Sequence, residues 1–180
     1  VERALAWAPS GAFRFADIGT GSGAIAIAML RERKDARSIV CDISPAALDQ
    51  AVANARRAGV ADRVEPVISD FLACVPGGMD VIVSNPPYIE TGAIPSLAAE
   101  VRDHDPHLAL DGGPDGLDAY RAILRDAPAR LRPGGSLHLE IGAGQADDVA
   151  ALARHGGFKV KEIANDLGGV ARVVTAVFPA

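Results

Sequence analysis

Cysteine is nearly absent: only Cys41 and Cys74 occur in 180 residues, without metal-ligand spacing and too few for a disulfide framework. Both read as small buried or half-buried fillers in a reducing, cytoplasmic protein. No apolar run approaches the roughly 20 residues that span a bilayer, and nothing resembles a secretion signal, so a membrane role is not expected. Internal repeats and low-complexity segments are lacking as well. An excess of positive charge is also missing, since the formal net charge is −5. An acidic domain lacks the attraction that drives non-specific nucleic-acid binding, which favours a protein or small-molecule substrate.

What is present is an ordinary globular balance, 49% hydrophobic and 23% charged, in a length that suits one domain over residues 1–180. Strand and helix signals alternate. Strands are predicted at Phe13–Ile18, Ser38–Cys41, Val64–Ile68, Asp80–Ser84, Ser136–Ile141, Phe158–Ala164 and Val170–Phe178. Helices are predicted at Ala24–Arg33, from Pro45 to about Ala58, Leu117–Leu131 and Gln145–His155, with Pro133-Gly134-Gly135 as a turn. This rhythm implies an α/β fold, a mostly parallel seven-stranded sheet with helices on both faces. The last two strands are too close in sequence for a helical crossover and are expected to form an antiparallel hairpin. Val1–Leu5 starts inside a helix pattern with no cap before it, so an N-terminal region is expected to be missing. From Ile89 to about Gly116 no element is clear, and a loop this long after a strand end is usually functional or mobile.

Three strand ends carry candidate chemistry. Asp17-Ile18-Gly19-Thr20-Gly21-Ser22-Gly23 is a tight turn that lets backbone approach a ligand. Its spacing is not the G-x-G-x-x-G of dinucleotide folds, and Asp17 suits a cationic cofactor better than a pyrophosphate. Asp42 ends the second strand, placed to accept hydrogen bonds from ribose hydroxyls or to cap the following helix, a role Ser44 also offers. Asp70 is positioned to bond an adenine amino group, and Phe71 either covers the ring or belongs to the core.

Asn85-Pro86-Pro87-Tyr88 is the most informative element. Two prolines fix the backbone and remove two donors, leaving neighbouring carbonyls as acceptors. The Asn85 side-chain oxygen and the Pro86 carbonyl can together accept both hydrogens of an NH2 group. Such a group on an amide or an aromatic ring has a delocalised lone pair, and holding both hydrogens aims that pair at an electrophilic methyl. Prearranged dipoles then meet the developing positive charge, and Tyr88 stacks on the planar group or walls the pocket. Asn85, Pro86, Pro87 and Tyr88 are therefore the candidate catalytic residues.

Together these elements resemble the PrmC/HemK family of peptide-chain-release-factor N5-glutamine methyltransferases. The likeness runs through Asp17–Gly23, Asp42, Ser69-Asp70, Ser84–Ile89, Leu108–Gly113, Asp115–Leu117, Leu131–Gly135 and Leu139–Gly142. Asn-Pro-Pro-Tyr alone is shared with enzymes that methylate adenine N6 and guanine N2, whereas Ala109-Leu110-Asp111-Gly112-Gly113 with Asp115-Gly116-Leu117 is more particular to the glutamine-directed group. The resemblance implies a Rossmann-like class I methyltransferase fold, S-adenosyl-L-methionine as cofactor, and the glutamine of a release factor's Gly-Gly-Gln loop as substrate. It implies cofactor contacts at Gly19, Gly21, Gly23, Asp42, Phe71 and Asn85, beside the expected roles of Asp17, Thr20, Ser22 and Asp70. The resemblance also implies an N-terminal helical docking domain, which is expected to be missing here.

A second reading is a nucleic-acid amino methyltransferase using the same four residues, and a third is an inactive cofactor-binding scaffold; a dehydrogenase fits the glycine spacing and the hairpin less well. His104 and His107 beside Asp105 and Asp111 match no common metal site, and methyl transfer needs no metal. Glu140 is expected as a buried, hydrogen-bonded carboxylate, and Arg102, Arg121 and Arg172 as solvated or paired surface charges.

Overall fold

Alternation along strand β1 (Phe13–Ile18) sets the layering: Phe13 and Phe15 turn to one face, Ala16 and Ile18 to the other. The computed structural model describes residues 1–98, 100 and 106–180. Helix α1 (Glu2–Trp7) precedes β1. Then follow α2 (Ala24–Glu32), β2 (Ala36–Asp42), α3 (Pro45–Arg57), β3 (Val64–Ile68) and β4 (Met79–Ser84). After a one-turn helix α4 (His107–Leu110) come α5 (Asp118–Asp126), β5 (Leu131–Glu140), α6 (Ala146–His155), β6 (Lys159–Asn165) and β7 (Ala171–Val177). Among the described residues one sheet forms, in the order β3-β2-β1-β4-β5-β7-β6. Every pairing from β3 to β5 is parallel, whereas β7 runs antiparallel to β5 and also to β6, the latter as the short connection between the last two strands requires.

One face of the sheet is covered by α1, α2 and α3, where Phe15, Met29, Leu30 and Leu48 meet Val81 and Val83. The other face packs against α5 and α6 through Tyr120, Ile123, Val149 and Ala153 with Ile18, Ile82, Leu137 and Leu139. Fully burying one such large apolar side chain stabilises the fold by about 1.5–3 kcal/mol, so the central strands β1 and β4 are the most firmly held. Asn85 and the glycine turn leave from the carboxyl ends of those two strands.

Several expectations change. The helix predicted over Leu117–Leu131 stops at Asp126, because Pro128 cannot supply a helical N–H; a 3-10 turn, Ala127–Ala129, follows and β5 already begins at Leu131. The Pro133-Gly134-Gly135 turn is instead a bulge within β5. The Gly134 N–H donates to the Phe178 carbonyl at 3.0 Å and the Phe178 N–H to the Gly135 carbonyl at 2.9 Å, so the ladder continues through it. The stretch from Ile89 to Gly116 holds a 3-10 turn, Thr91–Ser96, the short α4, and an Ile89–Asp111 bridge. Arg102, His104 and Asp105 lie outside the described residues. Cys41 is buried, whereas Cys74 is exposed rather than a filler. Glu140 is half-buried, and its backbone carbonyl accepts the Tyr120 hydroxyl. Arg121 and Arg172 are paired surface charges, with Asp118 at 2.8 Å and Asp166 at 3.2 Å. No helix among the described residues is long and apolar enough to cross a membrane.

His138 of β5 is only 4% exposed, with Nδ1 3.1 Å from the Thr175 hydroxyl and Nε2 3.0 Å from the Ser136 hydroxyl. Burial pushes its pKa down from 6.5 to about 4, so the folded protein holds the ring neutral. The unfolded chain takes up a proton near pH 6.5 and the folded one near 4. This contribution to stability is therefore complete above pH 6.5 and lost as pH falls from 6.5 towards 4, at about 1.4 kcal/mol per pH unit. His138→Gln keeps a polar partner for the two hydroxyls without the titration. The stability difference between wild type and this variant, measured by denaturant unfolding, is expected to shift against the wild type as pH falls through that window. A difference independent of pH would contradict it.

Candidate active site

The turn leaving β1 takes Gly19, Gly21 and Gly23 through φ values of +64°, +52° and +80°, which only glycine adopts without strain. The three serve different ends. A Cβ on Gly23 would stand 3.0 Å from the Ala51 Cβ, so that glycine lets α2 approach α3 closely. A Cβ on Gly19 or Gly21 would meet nothing within 4 Å; both open onto a cavity.

Asp17 is 1% exposed and sits behind the turn, where its Oδ2 accepts the Thr20 hydroxyl at 2.8 Å and the Ala26 N–H at 3.1 Å. Burial pushes its carboxyl up to about 6, against the lowering effect of those two hydrogen bonds. Thr20 is also buried, its N–H bonded to the Cys41 carbonyl at 2.9 Å. Asp17, Thr20 and Gly23 thus shape the turn from behind and do not line the cavity.

Asp42, at the end of β2, holds the turn from its outer side. Its Oδ2 accepts the Gly21 N–H and its Oδ1 the Ser44 N–H, each at 3.0 Å. Ser44 is the cap of α3, its hydroxyl accepting the Ala47 N–H at 3.3 Å, so the Asp42 carboxylate remains on the cavity wall. Asp70 is exposed at the same edge. Phe71, with a φ of +44°, lines the cavity and also packs against the core.

Ser84, the last residue of β4, donates its hydroxyl to the Ile18 carbonyl at 2.7 Å. Asn85 follows, exposed at the cavity rim; Pro86 is buried, and Pro87 and Tyr88 are half-buried. Among the described residues, neither the Asn85 amide nor the Pro86 carbonyl has a hydrogen-bond partner. Pro87 lines the cavity, and Pro86 and Tyr88 are not among its lining residues.

The cavity measures about 710 Å³, within the usual range for a small-molecule site. Its lining includes Gly19, Gly21 and Ser22 of the glycine turn, Asp42 after β2, Asp70 and Phe71 after β3, and Asn85 after β4. Among the described residues lining it are two carboxylates, Asp42 and Asp70, and no basic side chain, which suits a cationic ligand and disfavours a pyrophosphate. Ile43 (53% exposed) and Leu108 (72% exposed) add apolar surface that sequence reasoning missed. An apolar residue directly after the strand-end acid was the available signal for Ile43. Gln145, read only as a helix start, also reaches the site from behind.

A family model described as methyltransferase small domain matches residues 8–113. The chain belongs to the methyltransferase small domain family. It is 53% identical, over 91% of its length, to a curated release factor glutamine methyltransferase of Cereibacter sphaeroides, and 49% identical over 91% to one of Bradyrhizobium diazoefficiens. It spans 59% and 55% of those two proteins. A solved methyltransferase from Pyrococcus furiosus superposes with a TM-score of 0.71 at 20% identity, covering 94% of this chain and 77% of that one. The fold is accordingly that of class I methyltransferases, as the strand order and terminal hairpin require.

In this methyltransferase domain Asp17 acts as a buried acceptor. Asp17→Ala, which strands the Thr20 hydroxyl and the Ala26 N–H, is expected to cost about 2–3 kcal/mol of stability in denaturant unfolding. Asp17→Asn keeps an acceptor without a buried charge and is expected to cost under about 1 kcal/mol at neutral pH. Equal losses in the two variants would show that the charge itself is required.

Proposed function

We propose that this domain transfers a methyl group from S-adenosylmethionine to the side-chain amide nitrogen of glutamine in the Gly-Gly-Gln loop of a peptide chain release factor. The observation that carries the reading is the exposed Asn85 amide, on the rim of the same cavity that Gly19, Gly21 and Asp42 wall. That the curated relatives are named release factor glutamine methyltransferases supports the glutamine substrate, and the net charge of −5 favours a protein over a nucleic acid.

The residues present fit such a cofactor. Asp42 offers a fixed carboxylate to ribose hydroxyls, Asp70 an acceptor to the adenine amino group, and Ile43 and Phe71 apolar surface to the ring. The bare backbone of Gly19 and Gly21 admits close approach, and the wall's negative charge suits a sulfonium. When bound, the cofactor supplies an electrophilic methyl. Asn85 Oδ1 and the Pro86 carbonyl accept the two hydrogens of the glutamine NH2. That pins the nitrogen and turns its lone pair out of the amide plane. As the nitrogen–carbon bond forms and the sulfur–carbon bond breaks, the same two acceptors offset the positive charge on nitrogen, and its surplus proton leaves to solvent. No general base is required. Tyr88 walls the site from behind through its contact with the core.

Transfer of labelled methyl to a release factor with its Gly-Gly-Gln glutamine intact, and to one with that glutamine replaced, tests the substrate. Label is expected only on the first. Labelling that survives the replacement overturns the reading, and labelling of a nucleic acid instead favours the base-directed alternative. Asn85→Ala is expected to lower kcat by roughly 100-fold or more while cofactor affinity falls less than about tenfold. Equal losses in rate and affinity would make Asn85 chiefly a cofactor contact.

A further inference from the structure

Gln145 stands just before α6, half-buried, and uses both ends of its side chain. Its Oε1 accepts the Gly142 N–H at 3.0 Å and lies 3.4 Å from the Tyr120 hydroxyl. Its Nε2 donates to the Tyr88 carbonyl at 3.0 Å and to the Gly116 carbonyl at 3.2 Å. The first pair of contacts is local to the end of β5 and to α5. The second reaches 57 and 29 residues away, to the last residue of Asn85-Pro86-Pro87-Tyr88 and to the Asp115-Gly116-Leu117 segment. A residue that only started its own helix would have no use for those two donors.

Three glycines leave room for this arrangement. A Cβ on Gly116 would stand 2.5 Å from the Tyr88 carbonyl oxygen and 2.7 Å from Gln145 Nε2. On Gly112 it would stand 2.8 Å from the Tyr88 Cα, and on Gly142 2.7 Å from Gln145 Oε1. The Ile89 N–H donates to the Leu110 carbonyl at 3.0 Å and the Gly112 N–H to the Ile89 carbonyl at 2.8 Å, which seals the same segment against the chain leaving Tyr88. The Ala109–Gly113 and Asp115–Leu117 segments thus form the frame in which the end of the four-residue element is held.

We infer that Gln145 is a positioning residue for methyl transfer: by clamping the Tyr88 carbonyl to Gly116 it fixes the direction in which Asn85 and Pro86 present their acceptors. This rests on the reading that Asn85 and Pro86 hold the reacting nitrogen. Pro86 and Pro87 restrict the backbone torsions between Asn85 and Tyr88, so an anchor at Tyr88 is transmitted to the acceptors.

Two variants of the full protein separate the clamp from the local contacts. Gln145→Glu keeps an acceptor for the Gly142 N–H but loses both donors and sets a carboxylate against two carbonyls. Gln145→Met keeps the length and loses every hydrogen bond. In both, kcat is expected to fall roughly 10- to 100-fold, as displacing a reacting group by a fraction of an ångström does, with cofactor affinity within about threefold of wild type. Hydrogen exchange at the Ile89 and Gly112 amides is expected to quicken by about tenfold, while that of Val81 and Val83 in β4 stays as in wild type. A Gln145→Glu protein with wild-type kcat, or with wild-type exchange at Ile89 and Gly112, overturns the clamp. So does a variant whose rate falls only in step with its cofactor affinity and its global stability. The exchange measurement requires no substrate, and the glutamine reading is tested on wild type alone, so the two can fail separately.

Discussion

The hydroxyl of Ser84 meets the carbonyl of Ile18 at 2.7 Å, inside the sheet, where β4 and β1 end side by side. The candidate site is arranged around that contact. From β1 the chain steps outward to β2 and β3, then returns across to β4 on the other side of β1, so the connections diverge and leave a crevice at the carboxyl edge. Ser84 fixes the relative height of the two strand ends. One residue beyond Ile18 the glycine turn begins, and one residue beyond Ser84 stands Asn85. A ligand lying on the first is therefore within reach of the second.

The two halves of the site are held by different means. On the β1 side, carboxylates do the work: Asp17 braces the turn from beneath, through Thr20 and Ala26, and Asp42 braces it from outside, through Gly21. On the β4 side the described residues hold little regular structure, and rigidity comes from two prolines, from three glycines that let backbones approach, and from the Gln145 amide. The proposed reaction explains the asymmetry. Binding a cofactor tolerates some give, whereas turning an amide lone pair out of conjugation depends on where two acceptors point.

Much of this was legible in the sequence because it depends on local chemistry. The glycine turn, the acid ending β2 and the Asn-Pro-Pro-Tyr element announce themselves through residues whose backbone or side-chain properties are unusual, and the final hairpin followed from a connection too short for a crossover. What was not legible depends on partners distant in sequence. Gln145 reads as a helix start because its donors act on carbonyls 57 and 29 residues away. The Pro133–Gly135 bulge reads as a turn because the Phe178 backbone that keeps it in the sheet is contributed by the far end of the chain. The overlong helix is a different kind of error, since Pro128 was there to be read.

The central claim, that Asn85 and Pro86 jointly hold the nitrogen that is methylated, is tested most directly by a structure of the protein with S-adenosylhomocysteine and its release-factor substrate bound. The glutamine amide nitrogen is expected within hydrogen-bond distance of both Asn85 Oδ1 and the Pro86 carbonyl, with the cofactor lying against Gly19, Gly21 and Asp42. An amide held by other groups, with Asn85 turned wholly towards the cofactor, would contradict it.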